Sequence, residues 1–188
     1  CDMGGELTCS DGSSEHFDAV IMACHADDAL ALIEQPDSIK SNILGAFEYS
    51  DNKIVLHSDP TWMPVRRGAW ASWTYVGSGD GENTPIAVSY WMNGLQQLDT
   101  DQLMVVTLNP DALPRHVHCQ LNYRHPQFDL KALKAQQRRE ELQGHRNIWY
   151  AGAHWRWGFH EDGVVSAIWA LRAMGVSMPL LGEVAADE

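Results

Sequence analysis

Three groups of residues in this 188-residue sequence are of types and spacings that could do chemistry. The first is the apolar run Asn147-Ile148-Trp149-Tyr150-Ala151-Gly152-Ala153, then a tryptophan-rich loop, then Glu161-Asp162-Gly163 ahead of a second apolar run. Such a strand-loop-helix unit places a loop at the carboxyl end of a strand, where ligands lie in α/β folds. The free N–H groups of the following helix favour an anion or an electron-rich oxygen. Gly152, Ala153, Gly158 and Gly163 are small enough to admit a ligand to the backbone. Glu161 and Asp162 serve equally well as plain helix caps, so spacing alone leaves the two readings even.

The second group pairs histidines with acids or with each other: His25 with Asp27 and Asp28, His57 with Asp59, His116 with His118, and His160 with Glu161 and Asp162. These are ligand types of a metal-dependent hydrolase. The spacing is loose, and nine histidines among 25 acids produce such pairs by composition, so no metal site is assigned. The third group is aromatic. Trp73, Tyr75, Tyr90 and Trp91, with Asn93, would wall a site for an apolar substrate carrying one polar handle, or would fill the core of alternating strands. Eight tryptophans, clustered at 62, 70, 73 and at 149, 155, 157, keep both options open.

Local pattern says which elements must hold these groups. Residues 7–10 and 16–23 flank Asp11-Gly12-Ser13-Ser14, and an Asp-Gly turn between β-prone runs predicts a hairpin. Its second strand, residues 17–24, is nearly continuous in apolar residues, as in a strand buried on both faces. Residues 27–33 begin with acids and continue with helix formers, and Pro36 ends them. Residues 54–57, 69–75, 86–92 and 103–108 predict a meander of antiparallel strands, and Gly77-Ser78-Gly79-Asp80-Gly81 a loop without phosphate-binding context. Residues 129–143 predict an amphipathic helix capped by Gly144. Residues 148–151 predict a strand, and residues 164–175 a buried helix with acids at its start.

Composition narrows the class of partner. Thirteen basic against 25 acidic residues give a net charge of −12 without a basic stripe, which argues against nucleic acid. No run reaches the roughly 20 apolar residues of a membrane span, and no secretory signal opens the chain. The four cysteines lack C-x-x-C spacing, so reduced thiols and a cytoplasmic location are expected. The first residue is Cys rather than Met, which reads as a processed chain or a fragment.

Tyr150-Ala151-Gly152-Ala153, Gly158-Phe159-His160-Glu161-Asp162-Gly163 and Ser166-Ala167 together resemble the last cofactor-contacting motif of flavin-containing amine oxidases and related desaturases. Phe17-Asp18-Ala19-Val20-Ile21-Met22-Ala23-Cys24-His25 is similar to the last hairpin strand of that family's FAD domain. His57-Ser58-Asp59-Pro60, Met63-Pro64, residues 69–75, Ser89-Tyr90-Trp91-Met92-Asn93, Leu108-Asn109-Pro110 and His125-Pro126 extend the resemblance to a bacterial subgroup of predicted NAD/FAD-binding proteins.

The resemblance implies the C-terminal portion of an FAD-dependent oxidoreductase that moves a hydride from a small-molecule substrate to flavin. It implies an α+β chain: residues 1–25 a hairpin of the FAD-binding domain, residues 26–146 a β-rich inserted substrate-domain portion, and residues 147–188 the return strand and helix. Ala23, Cys24, Gly152, Ala153, Gly158, Phe159, His160, Glu161, Asp162, Gly163 and Val164 would contact the cofactor. Gly152 and Ala153 would lie near its phosphates, and the N–H groups of Gly163 and Val164 would face the flavin's pyrimidine carbonyl. The family's G-x-G-x-x-G fingerprint is absent from this sequence, and so is the lysine that amine oxidases place near flavin, so an amine substrate is not supported. The rival expectation is a β-rich binding module with no chemistry of its own. Without a nucleotide-binding half, exposed apolar faces would favour a homodimer.

Overall fold

A computed structural model describes residues 5–77 and 86–176. The chain is α+β and divides into two compact units, one of Cys1–Tyr49 with Pro126–Glu188 and one of Ser50–His125. Among the described residues no helix is long and apolar enough to cross a membrane.

In the first unit the expected hairpin forms from β1 (Gly5–Thr8) and β2 (Ser14–Phe17), antiparallel and paired Thr8 to Ser14. Gly12 supplies the left-handed turn conformation at φ 84°, and the Asp11 carboxylate accepts the Ser13 N–H and hydroxyl. The single strand expected over residues 17–24 is instead broken. After Phe17 the chain turns and β3 (Val20–Met22) joins a separate two-stranded parallel sheet with β9 (Ile148–Tyr150). Burial on both faces does not follow, because two strands leave one flank uncovered and Ile21 is 43% exposed.

Helix α1 (Ala26–Leu32) and α2 (Ser38–Leu44) come next, the latter capped by Asp37, whose carboxylate accepts the Lys40 N–H. Helix α4 (Leu130–Gln136) is shorter than the 129–143 pattern predicts. The chain tightens into a 3₁₀ turn at Arg139–Glu141, reaching Gly144 in the left-handed conformation. Ala26, Ile43, Leu44, Phe47, Ala132, Leu142, Tyr150 and Trp155 make the core of this unit. Helix α5 (His160–Ala173) packs behind β9. It starts four residues earlier than residue 164 and is not buried all round, since Val164 is exposed.

The second unit is a five-stranded antiparallel sheet, ordered β5-β6-β7-β4-β8. Its strands are β4 (Glu48–His57), β5 (Trp73–Gly77), β6 (Ile86–Trp91), β7 (Val105–Leu108) and β8 (Val117–Gln127), with α3 (Met92–Gln96) after β6. The predicted meander is present in β5-β6-β7. The strand expected over residues 69–75 starts only at Trp73, and Arg67–Ala69 before it form a 3₁₀ turn. The 77–81 loop lies outside the described residues beyond Gly77. Sequence reading missed α2, α3 and the long edge strand β8, whose polar residues mask the alternation Val117, Cys119, Leu121, Tyr123.

Register sorts the sheet's side chains. Trp91, Val105 and His57 stand in one cross-strand row and Ser89, Thr107 and Val55 in the next, on one face. Trp73, Tyr90, Val106 and Leu56, with Tyr75, Val88, Leu108 and Ile54, lie on the other. The first face contains a polar chain with no exposure. The Asp59 N–H donates to His57 Nδ1 at 3.1 Å, which fixes the proton on Nε2 and makes His57 a donor to Thr107 Oγ1 at 2.8 Å. Thr107 then donates to Ser89 Oγ at 2.8 Å. Burial holds His57 below the usual histidine range, in keeping with this neutral tautomer.

Candidate functional site

The two parallel strands end side by side, and the groups with chemistry gather at their carboxyl edge. The Ala151 N–H donates to Met22 O at 2.9 Å, which aligns Ala23-Cys24-His25 after β3 with Gly152-Ala153-His154 after β9. Gly152 is held at φ 156°, and a Cβ there would stand 2.5 Å from His154 Cε1. The position therefore requires glycine, both for its backbone and because the imidazole occupies that side.

Ser166, fully buried on α5, ties this edge to the helix start. It accepts the Gly152 N–H at 2.8 Å and donates to Gly163 O at 2.8 Å. Asp162, also buried, accepts the N–H groups of Trp157 at 3.1 Å and Phe159 at 2.9 Å and pairs with Arg156 at 3.4 Å. From α4, the Gln136 amide donates to His154 O and Arg156 O, so the 153–159 loop is fastened from both sides. Asp162 is thus a structural cap, while Glu161, His160, Phe159 and Gly158 are exposed. The Gly163 N–H is used within the helix, on Phe159 O at 3.3 Å. The His160 and Glu161 N–H groups have no acceptor among the described residues, so the helix-start donors are displaced two to three residues upstream. A Cβ at Gly163 would meet nothing within 4 Å, which leaves open space beside it.

Beneath this surface His154 is buried, and burial brings it down to about 4, so it is a neutral imidazole at ordinary pH. It lies edge-on to Phe47 at 4.9 Å, and its Nε2 has no hydrogen-bond partner. Nothing in the sequence pattern singled it out beyond its position two residues past Gly152. Burial, with Asp28 and Asp27 adding to it, pushes the Cys24 thiol up, which makes it a poor nucleophile. Cys9, Cys24 and Cys119 are free thiols. His25 stacks on Tyr49 at 4.4 Å, and the Tyr49 hydroxyl accepts the Ala26 N–H.

Of the histidine and acid pairs, only His25 with Asp27 and Asp28 forms a three-ligand group among the described residues, its ligand atoms within 4.8 Å of one another. His57 is spent on Thr107. Asp59 receives five hydrogen bonds from Thr61 and Arg115; burial raises its pKa, but those donors outweigh it and hold the carboxyl well below the usual range. His118 is bonded to Ser58 Oγ at 2.6 Å. The five aromatic-wall candidates separate. Trp73 and Tyr75, both exposed and 5.3 Å apart edge to face, share a sheet face with Tyr90. Trp91 lies on the opposite face, and Asn93 is in α3.

No family model and no curated protein matches the sequence. Solved structures do match in fold. A CLA-producing fatty acid isomerase from P. acnes is 12% identical with a TM-score of 0.63, over 93% of this chain and 45% of that one. A reduced UDP-galactopyranose mutase is 13% identical with a TM-score of 0.61, over 92% and 45%. A putative protoporphyrinogen oxidase from Exiguobacterium sp. 255-15 is 14% identical with a TM-score of 0.57, over 93% and 44%. This chain spans under half the length of these structures, and at such identity the likeness is one of fold.

Proposed function

We propose that this chain is the C-terminal portion of an FAD-dependent oxidoreductase of the amine oxidase-like kind, acting on a small, mostly apolar molecule. The observation that carries the reading is the carboxyl edge of β3 and β9: a glycine that must be glycine, a serine bridge to α5, and unpartnered helix-start N–H groups. The motif resemblance and the shared fold support it. In this reading residues 1–25 and 147–188 belong to the FAD-binding domain and residues 26–146 to the inserted substrate portion. The protein works in the cytoplasm with its cysteines reduced.

The residues present fit an uncharged ring better than the phosphates expected beside Gly152 and Ala153, because Asp27 and Asp28 put negative charge at this edge. When bound, flavin supplies hydride acceptance. The chain's own part is to shape the pocket: Gly152 and Ala153 admit the ligand, and the His160 and Glu161 N–H groups donate to its oxygen. Within the Ser50–His125 unit, Trp73, Tyr75 and Tyr90 form an aromatic sheet face of their own, suited to an apolar molecule. The pyrophosphate cradle comes from sequence outside this chain.

The test is flavin absorbance of a longer gene product, extended upstream, against that of this chain. The longer form is expected to purify yellow, and this chain to stay colourless after mixing with FAD. In the longer form Gly163→Asp strips the flavin. The new carboxylate enters open space, so the loss reports charge beside the ring and not a clash. A yellow variant with unchanged affinity overturns the assignment, as does a gene product with no nucleotide-binding fold upstream.

A further inference from the structure

Trp91 and Asn93, separated from the Trp73–Tyr75–Tyr90 wall, belong to a cavity of about 480 Å³ within the Ser50–His125 unit. Trp70 and Trp91 meet there edge to face at 5.5 Å and 80°. We propose that this cavity is a second binding site, for a small flat monoanion such as an aryl carboxylate, held by its ring on the two indoles and by its carboxylate on Arg67. The proposal does not depend on the flavin reading.

The cavity walls are set before any ligand arrives. Trp70 Nε1 donates to Pro64 O at 2.7 Å, which fixes one indole. The other lies so close over Gly94 that a Cβ there would come within 2.5 Å of its ring. Asn93 ties down the 100–104 segment of the wall: Nδ2 donates to Thr100 O at 3.3 Å and Gln102 O at 2.8 Å, and Oδ1 accepts the Met104 N–H at 2.8 Å. A prebuilt aromatic slot of this kind costs little ordering on binding.

Charge then selects the ligand. The Arg67 guanidinium lies 5.2 Å from the Trp70 ring centre and is paired with no carboxylate among the described residues. Held against an indole, it presents a planar fork suited to a carboxylate. The Trp91 Nε1–H likewise has no acceptor among the described residues, and supplies a further donor. Asp101, which also lines the cavity, adds a negative charge that limits the ligand to one of its own, so a dianion or a phosphate monoester is disfavoured.

Ligand-observed NMR and calorimetry with 2-naphthoate, on the 188-residue chain without flavin, test this. Saturable binding is expected for the native chain. Arg67→Gln weakens it about tenfold, the loss of one charge-assisted contact, and Arg66→Gln leaves it unchanged. The neutral 2-naphthylmethanol binds about tenfold more weakly than the carboxylate. Absence of saturable binding to the native chain overturns the site. Equal affinity for the alcohol, or indifference to Arg67→Gln with the fold intact by circular dichroism, overturns its charge selectivity. Flavin absorbance of the longer chain is untouched by any of these outcomes, so the two readings fail separately.

Discussion

The two units treat their buried polar groups in opposite ways. In the Ser50–His125 unit they are chained: Asp59 N–H to His57, His57 to Thr107, Thr107 to Ser89, with the Asp59 carboxylate saturated by Arg115 and Thr61. In the other unit Trp149 Nε1, Tyr150 Oη, His154 Nε2 and Trp155 Nε1 are buried without partners, and among the described residues every such atom lies there. The same unit holds a parallel sheet of only two strands, whereas parallel strands ordinarily sit in larger sheets covered on both faces. The contrast teaches that the antiparallel unit closes its own hydrogen-bond accounts and the strand-helix unit does not. That is the physical ground for reading the latter as part of something larger.

The largest expected effect lies in the closed unit. Asp59→Asn removes the charge that five donors converge on and is expected to cost about 3 kcal/mol in urea unfolding. Because the folded carboxyl titrates below its unfolded value, its stabilisation is complete above about pH 4 and drains away as pH falls further. The variant should therefore flatten the acid limb of the stability profile. A cost under about 1 kcal/mol would break the comparison at its strongest point.

Next comes one substitution made twice. His57→Phe leaves the buried Asp59 N–H and the Thr107 hydroxyl short of a partner and is expected to cost about 2 kcal/mol. His154→Phe removes an orphaned nitrogen while keeping a ring against Phe47, and is expected to gain about 1 kcal/mol at pH 7. The folded His154 titrates at about 4, below the unfolded imidazole. The unfolded chain takes the proton first, so native stability falls as pH drops from about 6.5 towards 4, and His154→Phe removes that part of the slope. Equal signs for the two substitutions would erase the contrast. Ser166→Ala is expected to cost a similar amount, about 1 kcal/mol by the same assay. Faster amide exchange at Gly152 would accompany it if the bridge to α5 holds the strand end; unchanged exchange would show it does not.

Much of the molecule was readable from residue order because the deciding physics was local. The Asp11-Gly12 turn specified its hairpin through the side-chain cap and a left-handed glycine. The strand before Gly152 and the acid-led helix after it were legible from apolar pattern and helix-end electrostatics. The misreadings were non-local. The break at Asp18-Ala19 exists because residues 20–22 pair with residues 148–150, some 128 positions away, a partner that no window of sequence contains. Strand β8 was hidden because an edge strand facing solvent needs little apolar pattern.

For the candidate site, the sequence alone determined the strand-loop-helix frame, the small residues in it and the aromatic supply, since propensity and patterning act within a few residues. Tertiary structure decided everything requiring two distant segments at once. It set Cys24 beside Gly152, gave Gly163's N–H to its own helix, buried His154 as a neutral ring, and divided five aromatic-wall candidates between two sheet faces and a helix. Register and burial are properties of pairs of segments, and only the folded chain brings those pairs together.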